Sequence, residues 1–142
     1  MEIKNKKAYF NYFIIDTKEA GIVLVGTEIK SVKKGSVNLT DSYIRIKNNE
    51  AYVINMFIDK YDGGSIFNHE PTRERKLLLH KNEIKKLHEL IIRDGYTLIP
   101  LKIYLKDGYA KLEIGICKGK KLYDKRETIK KRDLEREQKY RR

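Results

Sequence analysis

Hydrophobic and polar positions alternate most cleanly between Thr97 and Cys117. Leu101, Ile103 and Leu105 interleave with Lys102, Tyr104 and Lys106; Leu112, Ile114 and Ile116 interleave with Lys111, Glu113 and Gly115. A period of two marks strands with one apolar face. The intervening Lys106-Asp107-Gly108 supplies the Asp-Gly pair that tight hairpin turns favour. A second hairpin is predicted from Ser42–Ile46 through Lys47-Asn48-Asn49-Glu50 into Ala51–Ile58, because asparagines tolerate left-handed backbone angles. Ala8–Ile15 (AYFNYFII) and Ala20–Val25 (AGIVLV) read as further strands, separated by a polar bend at Asp16–Glu19.

Two segments follow a helical period instead. Gly26–Lys34 places Ile29 and Val32 three apart and is stopped by Gly35. His80–Asp94 sets Ile84, Leu87, Leu90 and Ile91 on one side and meets Gly95. Between the hairpins, Tyr61–Arg75 reads as a long loop, a kind of segment that is often functional or mobile. Short antiparallel strands must hide their edges, and closing into a small barrel does so. The expected fold is mainly β: an OB-like antiparallel barrel with two or three added helices.

Charge adds a second unit to this picture. The chain of 142 residues carries a net charge of +12. Lys118–Arg142 holds 12 lysines and arginines against 5 acidic residues, a net +7. Residues 1–123 are therefore expected to form the barrel and 124–142 a basic tail. A terminal cationic block points to a polyanion, and among polyanions to RNA. Asp124 with Glu127 fits a capping box, with Asp124 as the N-cap. Ile129, Leu134 and Tyr140 form no apolar stripe, so the tail is expected to become helical only against an anionic surface. The missing stripe also argues against a membrane partner.

Candidate chemistry is sparse. His69, His80 and His88 lie 11 and 8 residues apart beside a single cysteine, a poor spacing for zinc. Gly119-Lys120-Lys121 lacks the upstream glycine and the hydroxyl of a phosphate-binding loop. No nucleophile stands beside a base, so neither enzymatic activity nor a cofactor is expected. Cys117, alone in an apolar run, reads as a small buried hydrophobe and fits a reducing compartment. With no apolar leader in MEIKNKKAYF and no run of membrane-spanning length, a cytoplasmic location is expected. Tyr9, Phe10, Tyr12 and Phe13 follow Lys4, Lys6 and Lys7; aromatics beside cations can stack bases while the cations meet phosphates.

Several segments in order resemble the SmpB family, the SsrA-binding proteins of bacterial ribosome rescue. They are Asn5-Lys6-Lys7-Ala8 with Tyr12-Phe13-Ile14, Glu19-Ala20-Gly21, Gly26-Thr27-Glu28-Ile29-Lys30-Ser31, Val37–Tyr43, Asn68–Leu79 and Gly119–Arg126. The resemblance implies an OB-like barrel that binds the tRNA-like domain of transfer-messenger RNA. It also implies a tail that enters the decoding region and empty messenger channel of a stalled ribosome, against its small-subunit RNA. Elongation factor Tu would be engaged indirectly, through the charged RNA. By motif position the resemblance implies an RNA face of Asn5, Glu19, Lys76, Leu78, His80, Lys111, Lys118, Gly119 and Lys121. In the tail it implies ribosome contacts by Tyr123, Asp124, Lys125 and Arg126, continued by Lys130, Lys131 and Arg132. Lysines suit phosphates, and Asn5 and Glu19 suit an unpaired base edge or a 2′-hydroxyl. The chain departs from the family at Tyr123, where many members carry histidine; tyrosine keeps a stacking face.

Overall fold

The computed structural model describes residues 2–63 and 67–140, and their side chains up to residue 134. Nine strands and four helices occur among them: β1 (Glu2–Lys4), α1 (Lys6–Asn11), β2 (Tyr12–Ile22), α2 (Gly26–Lys33), β3 (Val37–Asn38), β4 (Tyr43–Lys47), β5 (Glu50–Ile54), β6 (Phe57–Ile58), β7 (Arg75–Leu78), α3 (Lys81–Ile92), β8 (Thr97–Lys106), β9 (Tyr109–Gly119) and α4 (Leu122–Tyr140). Seven strands form an antiparallel sheet in the order β1-β8-β9-β2-β7-β5-β4, and β3 pairs with β6 apart from it. β4 also lies beside β8, which curls the sheet into the expected OB-like barrel. Its core gathers the inward residues of the long hairpin, among them Ile103, Leu112 and Ile114, with Val53, Leu77 and the apolar stripe of α3.

Both predicted hairpins form. Asn48 and Asn49 turn at φ 53° and 61°, and Asp107 and Gly108 at 52° and 81°, the left-handed pairs that match strand twist. The glycines after α2 and α3 do what their positions predict, with φ of 77° at Gly35 and 72° at Gly95.

Four local readings are corrected. Residues 8–11 are helical rather than extended, because the Asn5 side chain accepts the Ala8 N–H at 3.2 Å and starts α1. α1 then buries Ala8 against Ile99, Leu101 and Cys117 on the outer side of the sheet. The expected bend at Asp16–Glu19 is continuous strand, since β2 pairs with β9 from Tyr12 to Gly21 and absorbs the irregularity as a bulge between Ile14 and Asp16. The lead-in is not merely polar: Glu2–Lys4 pairs with β8. Ala51–Ile58 breaks at Asn55, φ 61°, so that β6 can leave β5 and join β3.

The tail differs from expectation in two respects. It is helical here from Leu122 to Tyr140. Asp124 is not the N-cap; it sits at the third helical position and accepts the Lys121 N–H at 3.2 Å, satisfying one of the donors a helix start leaves open. Thr128 Oγ1 donates to the Asp124 carbonyl at 3.0 Å, and Lys120 Nζ donates to Thr128 Oγ1 at 2.9 Å.

Candidate nucleic-acid interface

The central strand β2 positions one functional cluster. Gly21 faces Lys111 on β9 and Leu78 on β7, and Lys111 in turn faces Tyr104 on β8. Two residues along, Glu19 faces Glu113, which faces Lys102. These residues share the outer face of the sheet. Alternation on β7 settles the run of three leucines: Leu77 is fully buried, whereas Leu78 is 58% exposed. A Cβ at Gly21 would lie 3.3 Å from Leu78 Cβ, so glycine there lets Leu78 lean across the strand. The result is a cleft of about 370 Å³ lined by Glu19, Gly21, Leu78, His80, Glu83 and Lys111 with their neighbours.

Four of the expected site residues, Glu19, Leu78, His80 and Lys111, therefore meet in one place. Lys76 lies two residues before Leu78 on the same strand, 3.6 Å from Glu50. His80 is held at the entrance to α3, where its backbone N–H donates to Glu83 at 2.9 Å and Glu83 also pairs with Lys18. Those two partners, Lys18 first, hold the Glu83 carboxyl below its ordinary value.

Tyr104 is a member of this cluster that the sequence reading passed over. Its hydroxyl donates to Glu19 Oε2. That bond, helped by Lys106 and Lys111, holds the Glu19 carboxyl low. Burial and then the Glu19 bond push the Tyr104 phenol up to about 12. At neutral pH the pair is a carboxylate and a neutral phenol, and Glu19 Oε1 accepts no hydrogen bond among the described residues. The available signal was an aromatic ring on the polar face of an alternating strand. Lys102 lies 3.5 Å from both Glu2 and Glu113 and 5.6 Å from the Tyr104 ring centre.

The remaining residues gather at the other end of β9. Lys111 and Lys118 are seven positions apart, roughly 23 Å along a strand. Lys118 and Gly119 pair with Phe13 and Tyr12 at the start of β2. Lys120 N–H donates to the Asn11 carbonyl at 2.8 Å, and its ammonium lies 5.1 Å from the Phe13 ring centre. Lys118, Lys121, Tyr9, Phe13 and Tyr123 are all exposed, giving cations interleaved with rings. In α4, Lys125 is half-buried, Arg126, Lys130 and Lys131 are exposed, and Arg132 reaches to 5.7 Å from the Phe10 ring.

Asn5 turns inward, against the expectation of an exposed hydrogen-bonding group. It is 4% exposed, and its Nδ2 donates to the carbonyls of Leu39 and Pro100 at 3.2 and 2.9 Å. Both Nδ2 hydrogens are thus used within the protein, and Oδ1 accepts the Ala8 N–H, so the carboxamide ties α1 to the barrel.

The long loop before β7 is also anchored. His69 is 6% exposed; its Nε2 donates to the Ile58 carbonyl at 2.9 Å, which leaves Nδ1 to accept from Thr27 Oγ1 at 2.8 Å. Glu28, fully buried, receives Arg73 and the fully buried Arg75. Among the described residues no three His, Cys, Asp or Glu side chains gather as a metal ion needs, and no helix is long and apolar enough to cross a membrane.

A sequence model of the family described as SmpB protein matches residues 2–142, which takes in both clusters and the buried anchor. The chain belongs to the SmpB family. Proteins named SsrA-binding protein are close relatives within SmpB: those of Caldanaerobacter subterraneus subsp. tengcongensis and Lysinibacillus sphaericus are each 58% identical over 134 residues, covering 94% of this chain and 85% and 86% of theirs. That of Caldicellulosiruptor bescii is 59% identical over 133 residues, covering 94% of this chain and 84% of its own. A solved structure described as "tmRNA-SmpB: a journey to the center of the bacterial ribosome" is similar in fold, with a TM-score of 0.72 and 45% identity over 85% of each chain. SmpB membership thus rests on sequence and on fold together.

The two neighbouring leucines separate packing from surface roles. Leu77→Ala is expected to cost about 2–5 kcal/mol of stability, as for a fully buried leucine. Leu78→Ala is expected to leave the melting temperature almost unchanged and to weaken RNA binding. Thermal unfolding of both variants checks this; equal destabilisation would mean that Leu78 is a packing residue.

Proposed function

We propose that this chain is a non-catalytic RNA-binding adaptor. It binds the tRNA-like domain of transfer-messenger RNA and delivers it to stalled ribosomes, where translation resumes on the tag-encoding frame. The observation that carries the reading is the assembly of Glu19, Leu78, His80 and Lys111 in one cleft, in a chain whose relatives are SsrA-binding proteins.

Physical roles follow from the geometry. Glu19, fixed as a carboxylate by Tyr104, presents an acceptor to a base edge or a 2′-hydroxyl. Leu78 offers an apolar surface to a base or ribose. Lys76, Lys111, Lys118 and Lys121 meet phosphates, and Gly119, exposed opposite Tyr12 at the end of β9, leaves the backbone open to the RNA. Asn5 is a positioning residue that sets α1 rather than an RNA contact. Residues 1–123 capture the RNA. Tyr123, Asp124, Lys125 and Arg126, with Lys130, Lys131 and Arg132 beyond, address the decoding region and the empty messenger channel. Elongation factor Tu is met only through the charged RNA, and the site of action is the cytoplasm.

The test is a salt titration of binding to the tRNA-like RNA. With six phosphates engaged, affinity falls about a thousand-fold between about 50 and 200 mM salt. Binding indifferent to salt, or no tighter than to bulk tRNA, defeats the proposal.

A further inference from the structure

We propose that RNA contact continues over the first turn of α3 into a second cleft that takes an unpaired, non-stacked nucleotide segment; the inference rests on the RNA reading of the first cleft. The second cleft lies between the β4–β5 turn and α3 and encloses about 560 Å³, within the range of roughly 300–1,000 Å³ of pockets that hold small organic groups.

Its lining has a consistent chemistry. Lys81, Lys85 and His88 follow each other at spacings of four and three, so they form one stripe along the helix. Ile84, three residues after Lys81 and four before His88, lies beside the stripe and adds to the apolar lining of the cleft, while Leu87 is buried in the core. Asn82 joins that stripe, and Asn48 and Asn49 face it from the turn. Both turn residues hold positive φ, the left-handed geometry that asparagine tolerates. Ile46 supplies an apolar floor, and no carboxylate lines the cleft. Cations suit phosphate, three carboxamides suit base edges and 2′-hydroxyls, and the floor suits a ribose. No aromatic ring lines it, so the cleft offers no platform for stacking.

Continuity with the first cleft supplies the second argument. α3 begins between the two: His80 and Glu83 line the first cleft, Lys81 and Asn82 the second. Glu50 bridges them, 3.6 Å from Lys76 and 3.6 Å from Lys81. At such distances, with Lys81 75% exposed, these pairs are weak, and both lysines can turn to phosphates. A strand leaving Leu78 and Lys76 meets Lys81 next and then Lys85.

The RNA could be a further part of the one held in the first cleft or a segment of ribosomal RNA, so the test has two arms. The triple variant Lys81→Gln, Lys85→Gln, His88→Gln is compared with Lys33→Gln, Lys60→Gln, which removes the same two full charges from positions that line neither cleft. Each is titrated against tRNA-like RNA and against purified small ribosomal subunits over a range of salt, with thermal unfolding as the control for folding. The triple variant should bind about ten-fold more weakly in at least one arm, with a salt slope shallower by about two for two lost phosphate contacts. The arm affected identifies the RNA. If the two variants behave alike in both arms while the unsubstituted chain binds normally, the second cleft is not used. If the unsubstituted chain itself fails to bind tRNA-like RNA, the first reading falls and this inference falls with it.

Discussion

Exchanging Arg75 for methionine while Glu28 is retained is expected to destabilise the barrel by about 3–5 kcal/mol. Both side chains are fully buried. The Arg75 guanidinium bonds Glu28 and also donates to the carbonyls of Met56 at 2.6 Å and Pro71 at 2.9 Å. Removing it leaves a buried carboxylate short of a partner and the Met56 carbonyl without its donor, while the Pro71 carbonyl still accepts the Ile58 N–H at 2.9 Å. Arg73 still pairs with Glu28 at 2.5 Å, so the loss should fall towards the lower end of that range. The double variant Glu28→Leu, Arg75→Met should recover part of it, since the uncompensated charge is gone.

The same network sets an acid limit. Burial alone would push the Glu28 carboxyl up; hydrogen bonds from Arg73, the Val25 N–H and Arg75 outweigh burial and leave it below its ordinary value. A carboxyl depressed by folding contributes stability above its unfolded value of about 4.3, and that contribution is lost as pH falls through the folded value. Wild-type stability should therefore decline below about pH 4, and the Arg75→Met variant should begin its decline at higher pH. Urea unfolding from about pH 7 to pH 3 measures both. A neutral-pH loss under about 1 kcal/mol, typical of an exposed pair, would refute the buried anchor.

That anchor also marks where sequence reading stops. The hairpins, α2 and α3 were legible because their signals are local: Asn48-Asn49, Asp107-Gly108, and the glycines at 35 and 95. The anchor was not, because Glu28 and Arg73 are 45 residues apart and the arginines sit in what reads as a polar loop. Residues 16–19 look like a bend because they are polar and mostly exposed; only the ladder to β9 holds them extended. Residues 8–11 look like a strand because their rings are β-favouring, and one asparagine cap with a small external core makes them a helix instead. The same cap explains why Asn5 points inward. Composition alone indicated RNA but no address for it. Resemblance supplied Glu19, Leu78, His80 and Lys111, and the strand register explains why those four belong together. Gly21 and Tyr104 were missed because each acts through a neighbour across the sheet, which no linear pattern shows.

Deleting residues 124–142 is expected to abolish tagging while leaving capture of the tRNA-like RNA within a few-fold of wild type. The helix these residues build is roughly 28 Å long from Leu122 to Tyr140, yet its described apolar side chains bury little. Ile129 and Leu134 remain 46% and 59% exposed. Its described ties to the barrel are polar and ring contacts, chiefly Lys120 to Thr128 and Arg132 to Phe10. Deletion should therefore leave barrel stability within about 1 kcal/mol of wild type, because surface contacts of this kind add little. The shortened chain keeps a net charge of +8, including Lys111, Lys118, Lys120 and Lys121, so the RNA-facing clusters survive intact. What it loses is a cationic helix whose described side chains are mostly exposed, the shape and charge that an empty, RNA-lined channel accepts. Asp124→Ala in the full-length chain refines the point. It removes the acceptor for the Lys121 N–H, should loosen the start of the helix at a cost of about 0.5–1.5 kcal/mol, and should impair tagging before RNA affinity. Asp124→Asn, which retains an acceptor, should impair it less. Normal tagging by the shortened protein would end the assignment of the tail to the ribosome, and a parallel loss of RNA capture would end the division of labour between barrel and tail.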